Sequence, residues 1–467
     1  MSSFDGVVRE YGGVIIDQFC STNCRRGRAF FLSHCHKDHM TNLSSTELSS
    51  TLRSGGGAQG LYCSRTTRDL LQADPDFEHL RGYLVGLPVD EPIPMNYIYT
   101  DGSDENGKPG EIEFTVTLIP AGHCPGSTMF LFEGTHGNVL YTGDFRLAVG
   151  DSARLSALQT CSGSAKDFAA VYLDTTFCHP AVPRLPCRSL TRAVVLSAVE
   201  RWLAQGESHY VVVRAPTFGY EHVWVALHER FGMPIHVSDR VLGYYTKSLS
   251  EVAQCLTSDA SVTRLHSCRW DSSITTSYRS HLPCGHVPSC GAGKPSIMHV
   301  KMSVMSFVRG NCIPESGVVE HAHGIHAVHS MHASYDEARD LVTFLSPRRV
   351  QACVHPAGPK SSHGSTMRDA ENFFKDLLHD NGERSPVKDA EELVISTACL
   401  KRQASWPSSK PLAATDNCPR PIDPGPEGST TQSTTAEAVS VLSRLSEGGD
   451  DDDERALPLP PKRRRRG

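Results

Sequence analysis

The sequence predicts an α/β protein: a layered first domain, an inserted parallel-sheet domain and a disordered C-terminal tail. Three observations carry this reading. From Met1 to about Val149, short β-rich runs alternate with turn residues. Beyond Val171, strand-like and helix-like segments alternate, the pattern of a parallel sheet with helical crossovers. From about Arg402 the chain is rich in Ser, Thr, Pro and Asp and poor in aromatic residues, a composition that cannot bury enough apolar surface to fold.

In chain order, strands are expected at Gly13–Asp17, Ala29–Leu32, Phe114–Ile119, Thr128–Phe132 and Val139–Tyr141. A Gly/Ser-rich patch near Gly150–Lys166 precedes a short buried strand around Val171–Leu173. Helical spacing then marks Ser189–Ala204 and Glu221–Phe231, the latter stopped near Gly232, with a strand at Tyr210–Arg214 between them. After about Val318 the β-like pattern resumes, followed by helix-like Ser334–Leu345 and Thr366–His379. The tail carries an acidic run, Asp450–Glu454, and ends in a basic one, Lys462–Arg466. No long-period repeat is visible.

Composition narrows the function classes. With 467 residues and 39% hydrophobic content, the chain can bury a sizeable core. Its longest apolar run falls short of the ~18 residues a membrane helix needs, and its N-terminus lacks a basic, apolar export signal. A soluble, intracellular protein is expected. The 16 cysteines then read as buried thiols with a few metal ligands rather than a disulfide framework. A net charge of −6 argues against a generally basic nucleic-acid binder, so any polyanion contact must come from a local patch or a metal centre.

The most informative segment is Phe31-Leu-Ser-His-Cys-His-Lys-Asp-His-Met40. In an extended stretch, His34 and His36 point the same way and can share one ion. Asp38 and His39 turn past that ion and can serve a second. Downstream, Ala121-Gly-His123 delivers a histidine from a turn after a strand, and Tyr141-Thr-Gly-Asp144 delivers a carboxylate suited to bridging two cations. Singly each is weak; together they form a dinuclear pattern at strand ends.

These motifs resemble the metallo-β-lactamase superfamily, whose signature is similar to His34-x-His36-x-Asp38-His39. Asp17, ending Gly-Gly-Val-Ile-Ile-Asp, matches the family's first motif, where an acidic side chain supports the ligand loop. The resemblance implies a first metal site of His34, His36, His123 and Asp144. The second would comprise Asp38, His39 and the shared Asp144. Leu173-Asp174-Thr-Thr-Phe-Cys looks like motif A of the β-CASP nucleic-acid nucleases, and His332-Ala-Ser-Tyr-Asp-Glu resembles their returning motif, whose histidine completes the second site. Across about residues 1–400 the motifs are most similar to DNA-repair members of that branch. The implied fold is a metallo-β-lactamase αββα sandwich interrupted by a β-CASP α/β cap. The sandwich takes residues 1–155 and 319–401, the cap 156–318 and the tail 402–467.

His236, His266, Cys268 and Cys284 could close a tetrahedral zinc site, although spacing alone leaves buried thiols equally open. The resemblance implies a structural zinc in the cap. Of His321, His323, His326 and His329, most are expected to face solvent or to be satisfied structurally. Val354 stands where DNA-acting relatives carry valine and RNA-processing ones histidine, but His355 adjoins it, so a one-residue slip would blur the distinction.

The expected chemistry is phosphodiester hydrolysis by a metal-activated water, with zinc as the catalytic metal, one or two ions, and Mg²⁺ or Mn²⁺ as alternatives. The resemblance implies opening of hairpins and trimming of overhangs or 5′ ends in end joining, by endonuclease or 5′–3′ exonuclease action. Asp17, Asp38, Asp174 and His332 are the catalytic candidates, with Asp174 orienting His332 or managing a proton. Lys37, inside the ligand loop, is the candidate DNA contact; Arg25, Arg26 and Arg28 read rather as a solvated turn. Expected partners are DNA and, by resemblance, a DNA-dependent protein kinase and DNA ligase IV. No membrane is expected, a monomer is, and Lys462–Arg466 points to the nucleus. Two other readings stand beside this one: an RNA-processing nuclease of the same branch, and a catalytically silent metal-stabilised scaffold.

Overall fold

The computed structural model describes residues 2–54, 60–99, 110–214, 218–268, 282–287, 295–322, 324–358 and 366–379. The expected tail from residue 402, with both its charged runs, lies outside the described residues, as does His323.

The chain begins with three β–helix–β crossovers: β1 (Val14–Ile16), α1 (Ser21–Arg26), β2 (Ala29–Phe31), α2 (Thr46–Ser54), β3 (Leu61–Ser64), α3 (Arg65–Ala73) and β4 (Leu84–Leu87). Helical crossovers return the chain in the same direction, so the sheet β1-β2-β3-β4 is parallel throughout. One face carries Ile15, Phe30 and Leu61 and is covered by Leu48 and Leu52 of α2 and Leu70 and Leu71 of α3. The other carries Val14, Ile16 and Phe31 and meets a second sheet.

That second sheet comprises β5 (Pro92–Tyr99), β6 (Gly110–Pro120), β7 (Thr128–Gly134), β8 (Asn138–Tyr141), β9 (Phe168–Leu173) and a last strand, Val350–Ala352. β5 to β8 form an antiparallel meander, whereas β9 and Val350–Ala352 add in parallel. Period-2 alternation is clear in β7. Phe130 and Phe132 face the first sheet, while Met129 and Leu131 face away. Each such aromatic contributes about 2 kcal/mol by leaving water.

A third sheet follows, built from β10 (His209–Arg214), β11 (Ile235–His236), β12 (Leu256–Thr257), β13 (Leu265–His266), β14 (Ser296–Met302), β15 (Val318–His321) and β16 (Gly324–Ala327). Its order is β12-β11-β13-β10-β14-β16-β15, parallel except for the β15–β16 hairpin. Helices α4 (Arg188–Leu203), α5 (Glu221–Phe231) and α6 (Asp239–Ser248) lie among its crossovers, with the short α7 (Ser250–Ala253) and α8 (Met305–Arg309). Gly232 ends α5 at φ +64, the left-handed cap its sequence position announces.

The chain then returns to the second sheet. Ser334 and Glu337 form a capping box that starts α9 (Tyr335–Leu345), and α10 (Met367–Asn372) follows. Leu341, Val342 and Leu345 of α9 cover Met129, Leu131 and Leu140, which completes a helix–sheet–sheet–helix stack. Sheet membership places β9 with this stack and β15 and β16 with the third sheet, so strand pairing does not follow the divisions at 155/156 and 318/319 drawn from the sequence. The expected helix Thr366–His379 is also shorter. It stops at Asn372 and gives way to a 3-10 turn at Lys375–Leu377, because Phe374 turns fully into the core beneath α9.

Candidate metal centre

Asp17 follows β1 directly and sits at φ +60, a left-handed conformation that aspartate tolerates better than most residues. This kink turns its buried carboxylate towards the loop leaving β2. Oδ1 accepts from Ser33 N (2.7 Å), and Oδ2 accepts from Ser33 Oγ (2.6 Å), Tyr141 Oη (2.9 Å) and His39 Nδ1 (2.8 Å). Since Ser33 Oγ spends its proton on Asp17, it accepts from His34 Nδ1 at 2.9 Å. Both histidines are thereby left with an Nε2 lone pair, and both Nε2 atoms are buried without a hydrogen-bond partner. Orphaned buried acceptors of this kind fit a metal ion.

The next pair follows the same logic. His36 Nε2 donates to the Phe218 carbonyl at 3.2 Å, and His123 Nδ1 donates to the Met331 carbonyl at 3.0 Å. The remaining nitrogens, His36 Nδ1 and His123 Nε2, face each other 2.9 Å apart. Two lone pairs at that distance repel unless a cation lies between them; bonds of ~2.1 Å to one ion, at angles from a right angle to the tetrahedral one, set ligand nitrogens roughly 3.0–3.4 Å apart. Gly122 makes the turn possible at φ +67, where a Cβ would lie 2.6 Å from the Arg146 carbonyl.

Asp144 joins the set. Its Oδ2 lies 3.7 Å from His34 Nε2 and 3.6 Å from His123 Nε2, while Oδ1 lies 3.1 Å from His39 Nε2. His332 comes from the returning chain, its Nδ1 3.8 Å from Asp144 and hydrogen-bonded to Asp174 Oδ2 at 2.9 Å. The other oxygen of Asp174 is taken by Thr176 N and Oγ1, so the carboxylate is committed to orienting His332. The structure thus brings together His34 with His36 and His123, His34 with His39 and Asp144, and His123 with Asp144 and His332, ligand atoms in each group lying within 4.8 Å of one another. These groups are able to bind metal.

Protonation divides the set: burial opposes charge on His39, but Asp144 and Asp17 outweigh it and raise this histidine, as they do not for the three around it. Burial lowers His34, His36 and His123, and so keeps them neutral, the form that ligates metal. Burial raises Asp144 on its own, but the surrounding histidines, His39 foremost, outweigh it and hold the carboxyl ionised. Burial likewise opposes charge on His332, where Asp174 and Asp144 prevail and raise it to about 9.

Asp38 stands slightly apart. Its Oδ2 lies 4.0 Å from His39 Nε2 and accepts from the Ser2 amide at 3.3 Å. With Ser2, exposed Lys37 and Thr41 it lines a depression of about 500 Å³ at the mouth of the centre. Arg25 and Arg26 are exposed, whereas Arg28 donates to the carbonyls of Arg25, Arg26 and Gly27 and so caps the end of α1. Val354 is buried and His355 exposed, so the inward position of that segment is the valine. His321 is exposed, His326 bonds Ser303 Oγ and His329 bonds Thr191 Oγ1; among the described residues, none of these three joins a metal-ligating group.

Sequence reasoning missed Ser33, Tyr141 and Cys124. The first two hold Asp17 and carry no motif signal of their own. Cys124 lies in the same 4.8 Å group as His34, His36 and His123, and its position next to His123 could have marked it.

A second group lies in the third sheet. The parallel register of β11 and β13 pairs His236 with His266, which sets their Nδ1 atoms 3.1 Å apart. Cys268 and Cys284 place their sulfurs 4.0 and 3.9 Å from His266 Nδ1. The hydrogen bond between the two sulfurs lowers the Cys284 thiol and raises that of Cys268. Two histidines and two cysteines suit a closed tetrahedral site.

No protein-family model matches the chain. Protein artemis from Homo sapiens is 35% identical over 391 residues, 83% of this chain and 53% of that protein. The Gallus gallus protein artemis is 37% identical over 362 residues, covering 77% of this chain and 48% of the relative. The chain is Artemis-like. It spans about half the length of these curated relatives. The 5′ exonuclease Apollo of Gallus gallus is 30% identical over 344 residues, 72% of this chain and 61% of that protein.

Proposed function

We propose that this Artemis-like chain is a metal-dependent DNA nuclease of double-strand break repair, with a metallo-β-lactamase sandwich and a β-CASP cap formed by the third sheet. The observation that carries it is the convergence of His34, His39, His123 and His332 on the shared carboxylate Asp144, with His36 grouped beside His34 and His123, in a chain similar to protein artemis and to the 5′ exonuclease Apollo. His34, His36 and His123 would hold one ion, and Asp38, His39 and His332 a second, with Asp144 common to both. When bound, such ions supply the Lewis acidity that neutralises a phosphodiester and activates water for attack. Zinc suits the nitrogen-rich set, and Mn²⁺ or Mg²⁺ the carboxylate edge.

The chain's own residues do the rest. Asp17 and Ser33 set the tautomers of His39 and His34; Asp174 orients His332; Lys37, beside Asp38 at the open mouth, meets the backbone phosphate next to the scissile one. His236, His266, Cys268 and Cys284 would hold a structural zinc. The substrates proposed are DNA hairpins, overhangs and 5′ ends, with a DNA-dependent protein kinase and DNA ligase IV as partners and the nucleus as the location. The test is purified protein on matched hairpin, overhang, duplex and RNA substrates, with metal analysis of the same preparation. Metal-dependent cleavage confined to DNA supports the proposal; cleavage of RNA alone, or of neither, overturns it.

A further inference from the structure

Phe218 and Gly219, just before α5, lie against one candidate ligand and against the residue whose carbonyl holds another. Phe218 adopts φ +62, a conformation its side chain disfavours, and this aims its carbonyl at His36 Nε2, 3.2 Å away. Gly219 follows at φ +111, a backbone conformation that side-chain-bearing residues rarely adopt, and packs against the Met331 side chain. The Met331 carbonyl is the group that receives His123 Nδ1. The turn therefore holds the outer nitrogen of His36 directly and packs on the residue that holds that of His123, and the inner nitrogens of these histidines face each other at 2.9 Å.

A strained turn needs a restraint, and the structure supplies one. Glu221, the first residue of α5 and 5% exposed, accepts from Gly219 N at 2.6 Å through Oε2 and from Tyr245 Oη of α6 through Oε1. Phe218 packs its ring against Tyr244 and Tyr245 with centroids 5.7 and 6.1 Å away. Among the described residues the buried carboxylate joins none of the ligand groups; one oxygen holds the turn and the other ties it to Tyr245.

We propose that Glu221 is a positioning residue for the metal centre. By pinning the Phe218–Gly219 turn it fixes the orientation of His36 and His123, and so sets the affinity of the site they share. The proposal rests on the reading of these histidines as ligands but not on the reaction they serve. Losing a partner of a ligand typically weakens metal binding about 10–100-fold.

The test measures metal affinity by chelator competition in the full chain, for Zn²⁺ and for Co²⁺, whose visible spectrum reports ligand geometry. Glu221→Leu should bind the catalytic-site ion about 10–100-fold more weakly and alter the Co²⁺ spectrum. Glu221→Gln, which can still accept from Gly219 N, should restore most of that affinity. Tyr245→Phe removes one bond to Glu221 without touching the turn and should fall between them, which keeps the idea testable should the leucine variant not fold. Metal at His236, His266, Cys268 and Cys284 should be retained in all three. Unchanged affinity and spectrum in folded Glu221→Leu overturn the proposal, as does an equal loss in the leucine and glutamine variants. Loss of cleavage with unaltered metal binding likewise overturns this role for Glu221, while failure of the nuclease reading with altered metal binding leaves it standing.

Discussion

Asp17 receives the Nδ1 proton of His39 at 2.8 Å, and His39 turns its other nitrogen to within 3.1 Å of Asp144. The aspartate accepts four hydrogen bonds and faces no open space, so it acts through the histidine and serine of the ligand loop. Replacing it with asparagine puts an N–H against at least one donor. Asp17→Asn should weaken metal binding about 10–100-fold, read by chelator competition, and lower the melting temperature. Wild-type affinity would remove Asp17 from the centre.

His36→Ala and Asp38→Ala should each reduce DNA cleavage by more than about 100-fold while the fold persists, since neither side chain fills the core. The measurement is turnover on a hairpin substrate beside a circular dichroism spectrum. Asp38 is the sharper case, because it lies at the rim of the centre, 4.0 Å from His39. Near-normal cleavage in both variants would sink the dinuclear reading.

Cys268→Ala should remove one metal equivalent and lower the melting temperature, because a closed site formed only in the folded state contributes its binding energy to folding. Elemental analysis with a thermal melt checks both. Unchanged metal content would return Cys268 to the class of buried thiols.

Acid should destabilise the protein through His222 and His329, whose rings stack 5.0 Å apart. Burial lowers both, His222 to about 3, and the arginines nearby add to the effect. The unfolded chain binds their protons from about pH 6.5 downwards while the folded chain does not. Their contribution is therefore present above that pH and is lost as pH falls towards the folded values, with a slope of up to ~1.4 kcal/mol per pH unit for each. Melting temperatures of wild type and His222→Phe/His329→Phe from pH 7.5 to 5 should converge as pH falls; parallel curves would refute the assignment.

Deleting residues beyond 402 should leave metal content and basal cleavage nearly intact, because none of the proposed ligands lies there. Nuclear accumulation should weaken with the loss of Lys462–Arg466. Loss of all cleavage at unchanged zinc content would show that the tail takes part in the reaction.

The ligand loop was legible in the sequence because its groups are close in the chain: His34, His36, Asp38 and His39 announce themselves by spacing, and His123 and Asp144 by following strands. Element types were legible wherever periodicity was strong, as in β7 and α5. Tertiary structure alone decided what depends on distant backbone meeting at one point. The His236–His266 pair exists only through the register of β11 against β13, and the tautomers of His36 and His123 only through the carbonyls of Phe218 and Met331. A hydrogen bond to a main-chain carbonyl leaves no mark on residue identity at the acceptor. That is why Glu221, whose work is done through such a carbonyl, could not be read from the chain.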